Sequence, residues 1–237
     1  MAEIWTIGKL LTWATDWLKT QGSESARLDS QLLLGHVCGL DKVHLYVQFD
    51  RPLAQNELAV FRDLVKRRAK GEPVAYILGK KEFYGRDFQV DANVLVPRPE
   101  TEHLVDCVLK YLRGEALPKE TEATVSTAPA SEDESNTDSD SVTTEAQTEA
   151  HIAKVTYEPI EAPRVVDVGT GSGAIAITIA AEIEDAIVLG IDISPQALEV
   201  ARRNAVSLEV RDRVKLVHGD TLEPIKSQHS VDVVVSN

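Results

Sequence analysis

Cysteine is almost missing from this chain: Cys38 and Cys107 are its only two, each inside a helix-like segment. Such a pair makes no disulfide framework and fits a reducing compartment, the cytoplasm. Long apolar runs are missing as well. No stretch reaches roughly 18 apolar residues, so neither a membrane-spanning helix nor a membrane partner is expected. The N-terminal MAEIWTIGKLLTWATDWLK is interrupted by Glu3, Lys9, Asp16 and Lys19 and reads as an amphipathic helix, not a signal peptide. The six histidines are scattered without metal-ligand spacing, and no metal site is assigned. Positive charge is in deficit, with 25 Lys and Arg against 38 Asp and Glu and a net charge of −13. Between Lys119 and Ala150, nine acidic residues face Lys119 alone, which leaves −5 for the rest of the chain. A protein that grips a nucleic acid backbone shows the opposite sign, so no direct nucleic-acid partner is expected.

What is present divides the chain into parts. Residues 1–72 read as a helical docking module. Ile4, Ile7, Leu10, Leu11, Ala14 and Leu18 share one helical stripe with Trp17 beside it. Ser25 is a candidate cap for a second helix, with Asp29 near its positive end and Leu28, Leu32, Leu33 and Val37 apolar. Asp41–Val47 is a short helix and Asn56–Lys70 a longer one, with Leu58, Phe61, Leu64 and Val65 inward. Its last turn holds Lys66, Arg67, Arg68 and Lys70, cations suited to the negative end of a helix. Residues 73–99 form a linker in which alternation over Glu82–Val90 around Tyr84-Gly85 predicts a hairpin. Aromatics in a hairpin are most often core, yet Phe83, Tyr84 and Phe88 are close enough to the following domain for a substrate contact. Pro97 and Pro99 lead to a helix at Glu100–Leu112. The segment at about 114–161 lacks apolar periodicity and reads as a disordered acidic insertion in a domain spanning 100–237.

From Arg164 the chain alternates strand and helix, which predicts an α/β fold with a parallel sheet and right-handed crossovers. The stretch Arg164–Gly173, RVVDVGTGSG, is a β-branched strand running into a glycine-rich turn, and Ala174–Ile183 continues as an apolar helix. Glycine admits positive φ and leaves no Cβ to block a ligand, and the helix start offers free N–H groups. Ligands of such sheets sit outside the carboxyl ends of the strands. Asp167 with the Gly169–Gly173 loop, Asp192, Asp220 and Asn237 all fall there. Asp192 can accept from two ribose hydroxyls at once, and Asp220 is placed for an adenine amino group. Gly169-x-Gly171-x-x-Ala174 also satisfies a dinucleotide fingerprint, so an NAD oxidoreductase is one reading. DVGTGSG followed by GIDIS, HGD and VVVSN favours S-adenosylmethionine instead.

The segments PVAYILGKKEFYGRDFQVDANVLVPRPETEHLVD, VVDVGTGSGAIAITIA, GIDISPQALEVARRNA and VVVSN resemble the PrmC/HemK family. These enzymes are protein-glutamine N(5)-methyltransferases that modify the GGQ motif of peptide chain release factors. The resemblance covers the helical module and the start of the methyltransferase domain, leaving out the acidic insertion. It implies a helical bundle joined to a Rossmann-like class I S-adenosylmethionine-dependent methyltransferase domain. It further implies that Gly169, Thr170, Gly171, Ser172 and Gly173 surround the methionine part of the cofactor. By the same resemblance Asp192 binds the ribose, and Asp220 and Thr221 lie where the family contacts adenine. Asn237 matches the first residue of the family's Asn-Pro-Pro-Tyr motif, the catalytic clamp on the substrate amide, and Phe83 matches an aromatic near that amide. Because Asn237 is the last residue and VDVVV has the apolar character of a covered strand, the expectation is a truncated product, weak or inactive as it stands. Other readings are an adenine amino methyltransferase on nucleic acid and a non-catalytic docking fragment.

Overall fold

The structure, a computed structural model, describes residues 4–115, 158–226 and 230–237. Most of the expected acidic insertion therefore lies outside the described residues.

Four helices, α1 (Ile7–Thr20), α2 (Ala26–Cys38), α3 (Lys42–Val47) and α4 (Gln55–Ala69), form the N-terminal bundle. Thr6 caps α1, its hydroxyl accepting from the Lys9 N–H. Ile7, Leu10, Leu11, Ala14 and Leu18 pack inward against Leu33, Leu34, Leu45, Phe61 and Val65. Ile4, expected on this stripe, precedes the helix and is exposed. The buried face of α2 is turned from the expected one: Leu28 and Leu32 are exposed, while Leu33 and Leu34 fill the core. Ser25 makes no side-chain cap. Its hydroxyl donates to Asp29 at 2.9 Å, and Asp29 also accepts from Ser23 at 2.7 Å and from Arg68 Nε at 2.7 Å. Two of the four cations expected to serve the end of α4 are thus held in pairs, Arg68 with Asp29 and Arg67 with Glu72.

A helix unforeseen from sequence, α5 (Val74–Leu78), follows Pro73 and ends at Gly79. Its Ile77 joins the bundle core, and the Tyr76 hydroxyl donates to the Val94 carbonyl at 2.5 Å. The predicted hairpin follows as β1 (Lys80–Phe83) and β2 (Arg86–Gln89), closed by Tyr84-Gly85 with φ of 52° and 71°. Two positive φ values are what a two-residue turn between right-twisted strands requires. Tyr84 bears that conformation because its N–H donates to Glu102 at 3.0 Å and its hydroxyl to Asp106 at 2.7 Å. The Asp106 bond and burial push this phenol up to about 12.

Glu102 and Asp106 belong to α6 (Thr101–Leu112), which packs on α7. The second domain is a four-stranded parallel sheet of β3 (Arg164–Val168), β4 (Ile187–Asp192), β5 (Val214–His218) and β6 (Val233–Ser236), in the order β5-β4-β3-β6. Helices α7 (Ala174–Glu182) and α8 (Pro195–Ser207) form the crossovers. Helix α7 is apolar all round and buried along nearly its whole length, as its position between sheet, α6 and α8 demands. Among the described residues β6 pairs only with β3, with Val235 buried and Val234 51% exposed. No described helix is long and apolar enough to cross a membrane.

Candidate active site

The strand order reverses between β3 and β6, and the crevice at such a switch point is where ligands of open parallel sheets bind. The glycine turn leaves β3 there. Its rim is fixed by Gly169 N–H and Thr170 N–H, which both donate to the Ile191 carbonyl at 2.8 and 3.0 Å. Gly169, Gly171 and Gly173 all have positive φ, at 74°, 55° and 81°. The first two and the third serve different ends. A Cβ on Gly169 would meet nothing within 4 Å, and one on Gly171 would meet only the loop carbonyl at 3.9 Å. At Gly173 it would strike the Ile177 side chain at 2.6 Å. The first two glycines therefore keep the cradle open, and the third lets α7 begin against its own first turn.

Two acids hold this loop from below and from the side. Asp167 is 1% exposed; its Oδ2 accepts from the Thr170 hydroxyl at 2.6 Å and from the Ala176 N–H at 3.2 Å. Its Oδ1 is buried and finds no partner among the described residues. Burial pushes this carboxyl up to about 6, against the pull of those two hydrogen bonds. Asp192, at the end of β4, is half-buried. Its Oδ2 accepts from the Gly171 N–H at 2.8 Å and its Oδ1 from the Ser194 N–H at 2.9 Å. A carboxylate offers about four acceptor sites, so each oxygen retains one for a ligand hydroxyl. Gly219 N–H donates to the Asp192 carbonyl at 3.1 Å, which brings Asp220 and Thr221 next to this aspartate. Both are exposed, and Thr221 takes a left-handed φ of 46°.

Across the crevice, Leu95–Arg98, Thr101 and Asn237 line one cavity with Gly169–Ser172, Ala174 and Ile175. Asn237 is held at the end of β6, where Ser236 pairs with Val168 and donates its hydroxyl to the Val168 carbonyl at 3.0 Å. The Asn237 Nδ2 donates to Thr101 Oγ1 at 2.7 Å.

The structure thus gathers Gly169, Gly171 and Asn237 around one crevice, ties Asp192 to it through the Gly171 N–H, and places Asp220 and Thr221 beside Asp192. Thr170 and Ser172 are turned to structural use: the Thr170 hydroxyl is committed to Asp167, and the Ser172 carbonyl accepts from Asn204 at 2.8 Å. Phe83 requires a correction. Its ring is 1% exposed and packs edge-on to Phe88 at 5.9 Å within the core, so it offers no surface to a substrate. Two residues escaped sequence reasoning. Thr101 lies in the PRPET segment, but its partner is 136 positions away. Asn204, fully buried on α8, receives the Gln89 N–H at 2.7 Å and donates to the Gln89 and Ser172 carbonyls. It ties the hairpin to the glycine loop. A polar residue on the inward face of an amphipathic helix was the available signal.

A parallel sheet of this order with a glycine turn after its first strand is the Rossmann-like fold of class I methyltransferases, and residues 161–237 match a family model described as a methyltransferase domain. Residues 9–79 match the PrmC N-terminal domain. A release factor glutamine methyltransferase of Rhodopirellula baltica is 36% identical over 233 residues, covering 98% of this chain and 65% of that protein. One from Geobacter sulfurreducens is 39% identical over 235 residues, covering 99% and 65%. A bifunctional methyltransferase of Rickettsia felis is 35% identical, covering 98% of this chain and 41% of its own length. Along nearly its whole length the chain is thus similar to release factor glutamine methyltransferases, and it spans about 65% of the length of the first two relatives.

Proposed function

We propose that the protein transfers a methyl group from S-adenosylmethionine to the side-chain amide nitrogen of a glutamine in a peptide chain release factor. The observation that carries this reading is the shared crevice, with the open glycine cradle on one side and the Asn237 carboxamide on the other, while Asp192 holds the cradle through the Gly171 N–H. The residues fit the cofactor, since Gly169 and Gly171 leave space where a Cβ would project and Asp192 keeps an acceptor site on each oxygen. Asp192 would bind the ribose, with Asp220 and Thr221 toward the adenine. Bound there, the cofactor supplies a methyl group on a sulfonium, an electrophile strong enough that the protein needs no strong general base.

A carboxamide nitrogen is a weak nucleophile because its lone pair is delocalised into the carbonyl. In this reading the Asn237 Oδ1 accepts one N–H of the substrate amide, orienting the nitrogen and adding electron density. The nitrogen gains the methyl and gives up one proton to solvent. Alignment at near-attack distance can supply up to about 7–11 kcal/mol, and an amide left unpaired in the crevice would lose roughly 1–3 kcal/mol, which selects for an amide. Residues 1–72 dock the release factor, 73–99 connect, and 100–237 hold the transfer site. The setting is the cytoplasm, in keeping with two unpaired cysteines. Incubation of the intact protein with methyl-labelled S-adenosylmethionine should place label on a release factor and lose it when the acceptor glutamine is replaced. Label on DNA alone would overturn the reading in favour of an adenine amino methyltransferase.

A further inference from the structure

We propose that Thr101 is a positioning residue that sets the orientation of the Asn237 carboxamide; this rests on the reading of Asn237 as the clamp on the acceptor amide. Thr101 opens α6 directly after the extended Pro97-Arg98-Pro99, and its backbone N–H is satisfied by the Arg98 carbonyl at 3.1 Å. The hydroxyl takes no part in capping, because Glu100 occupies the cap position. It is nevertheless buried, and a buried hydroxyl needs a partner. The partner it finds is Asn237 Nδ2 at 2.7 Å.

The main chain before Asn237 is already fixed, by the pairing of Ser236 with Val168 and the Ser236 hydroxyl on the Val168 carbonyl. What remains free is rotation of the Asn237 side chain, and Thr101 removes it. With Nδ2 donating to Thr101, the opposite corner of the same planar group, Oδ1, makes no hydrogen bond among the described residues. Oδ1 is the corner a substrate amide needs, since that amide brings only N–H donors to its nitrogen. A reversed carboxamide would set donor against donor. A hydroxyl can serve either corner, so Thr101 fixes the plane, and the substrate N–H favours the sense already present. Thr101 also lines the crevice beside Gly169 and Gly171, so its removal is felt at the site first.

The test is methyl transfer to a release factor by the intact protein carrying Thr101→Val, Thr101→Ser, Asn237→Ala, or Thr101→Val with Asn237→Ala. Thr101→Val keeps the shape and removes the hydroxyl. It should lower kcat by about tenfold, the effect of one hydrogen bond, while KM for the release factor and Kd for S-adenosylmethionine stay within about twofold. Thr101→Ser should restore kcat, and the double variant should be no slower than Asn237→Ala alone. Three results would overturn the proposal: an unchanged kcat in Thr101→Val, a loss of cofactor affinity as large as the loss in kcat, or full additivity of the two substitutions. An undiminished rate in Asn237→Ala would sink the reading of Asn237 itself. A slow Asn237→Ala beside a normal Thr101→Val would sink only the role of Thr101.

Discussion

Asp167 and Asp192 end neighbouring strands of the same sheet, yet their surroundings divide their tasks. Asp192 accepts one backbone N–H on each oxygen and remains half-open to solvent, so each oxygen keeps an acceptor site within reach of a ligand. Asp192→Ala should therefore abolish S-adenosylmethionine binding in calorimetry while the melting temperature falls only slightly; unaltered affinity would remove the ribose assignment. Asp167 is enclosed, and burial raises its carboxyl from an ordinary 3.8 to about 6. Folding thus favours its protonated form. The stabilisation this brings is complete below pH 3.8 and is lost as the pH rises through about 6, amounting to about 3 kcal/mol at most. Asp167→Asn is neutral at every pH. The native protein should therefore lose stability relative to this variant across that window, with a flat difference above and below it. Thermal melts at constant ionic strength check this, and a difference that does not move with pH means the carboxyl is unshifted.

At the scale of elements, the joints between them carry more than any one helix or strand. Asn204 on α8 satisfies both backbone groups of Gln89 in β2 and the Ser172 carbonyl of the glycine turn. Asn204→Ala takes this partner from the buried Ser172 carbonyl and from the half-buried Gln89 N–H and carbonyl, and should destabilise the protein by about 2–4 kcal/mol, seen as a lower urea midpoint. In the turn of the hairpin, Gly85→Ala introduces a left-handed alanine without any clash, so about 1–2 kcal/mol is expected there. The strands and the hairpin were legible in the sequence because β-branched runs and alternation repeat over several residues. Helix α5 was not, because five residues after a proline are too few to show a helical period. The run Leu32-Leu33-Leu34 gives no unique inward face, which is why α2 is turned from its expected register. Asp29 reads as a charge at a helix start, and its pairing with Arg68 across 39 positions only appears once α2 and α4 pack. The site divides in the same way. The glycine turn and Asp192 are local signals, whereas Thr101 against Asn237 exists only in the assembled crevice.

The described residues hold two large cores and two smaller apolar clusters, and the core of the second domain is built from chain on both sides of the acidic segment. Helix α6, which precedes it, and β3, which follows it, share one cluster through Val105, Leu109, Leu112 and Val165. The two flanks also meet directly, the Ile160 N–H donating to the Leu112 carbonyl at 3.0 Å. The chain therefore returns to within a few residues of the place it left, and a short connection can close the same gap. Residues 116–157 hold nine acidic residues against Lys119 and Lys154, so their removal takes the net charge from −13 to −6. Their composition is that of an unstructured segment, and on that expectation replacing them with about six Gly and Ser residues shortens the connection roughly sevenfold, which lowers the closure entropy by about 1.5–2 kcal/mol. The melting temperature should rise by roughly 3–6 °C, and the affinity for S-adenosylmethionine should hold within about twofold, because no residue assigned to the crevice is touched. A fall in melting temperature would mean instead that the segment packs against one of the cores, and a loss of cofactor affinity that it supplies part of the site.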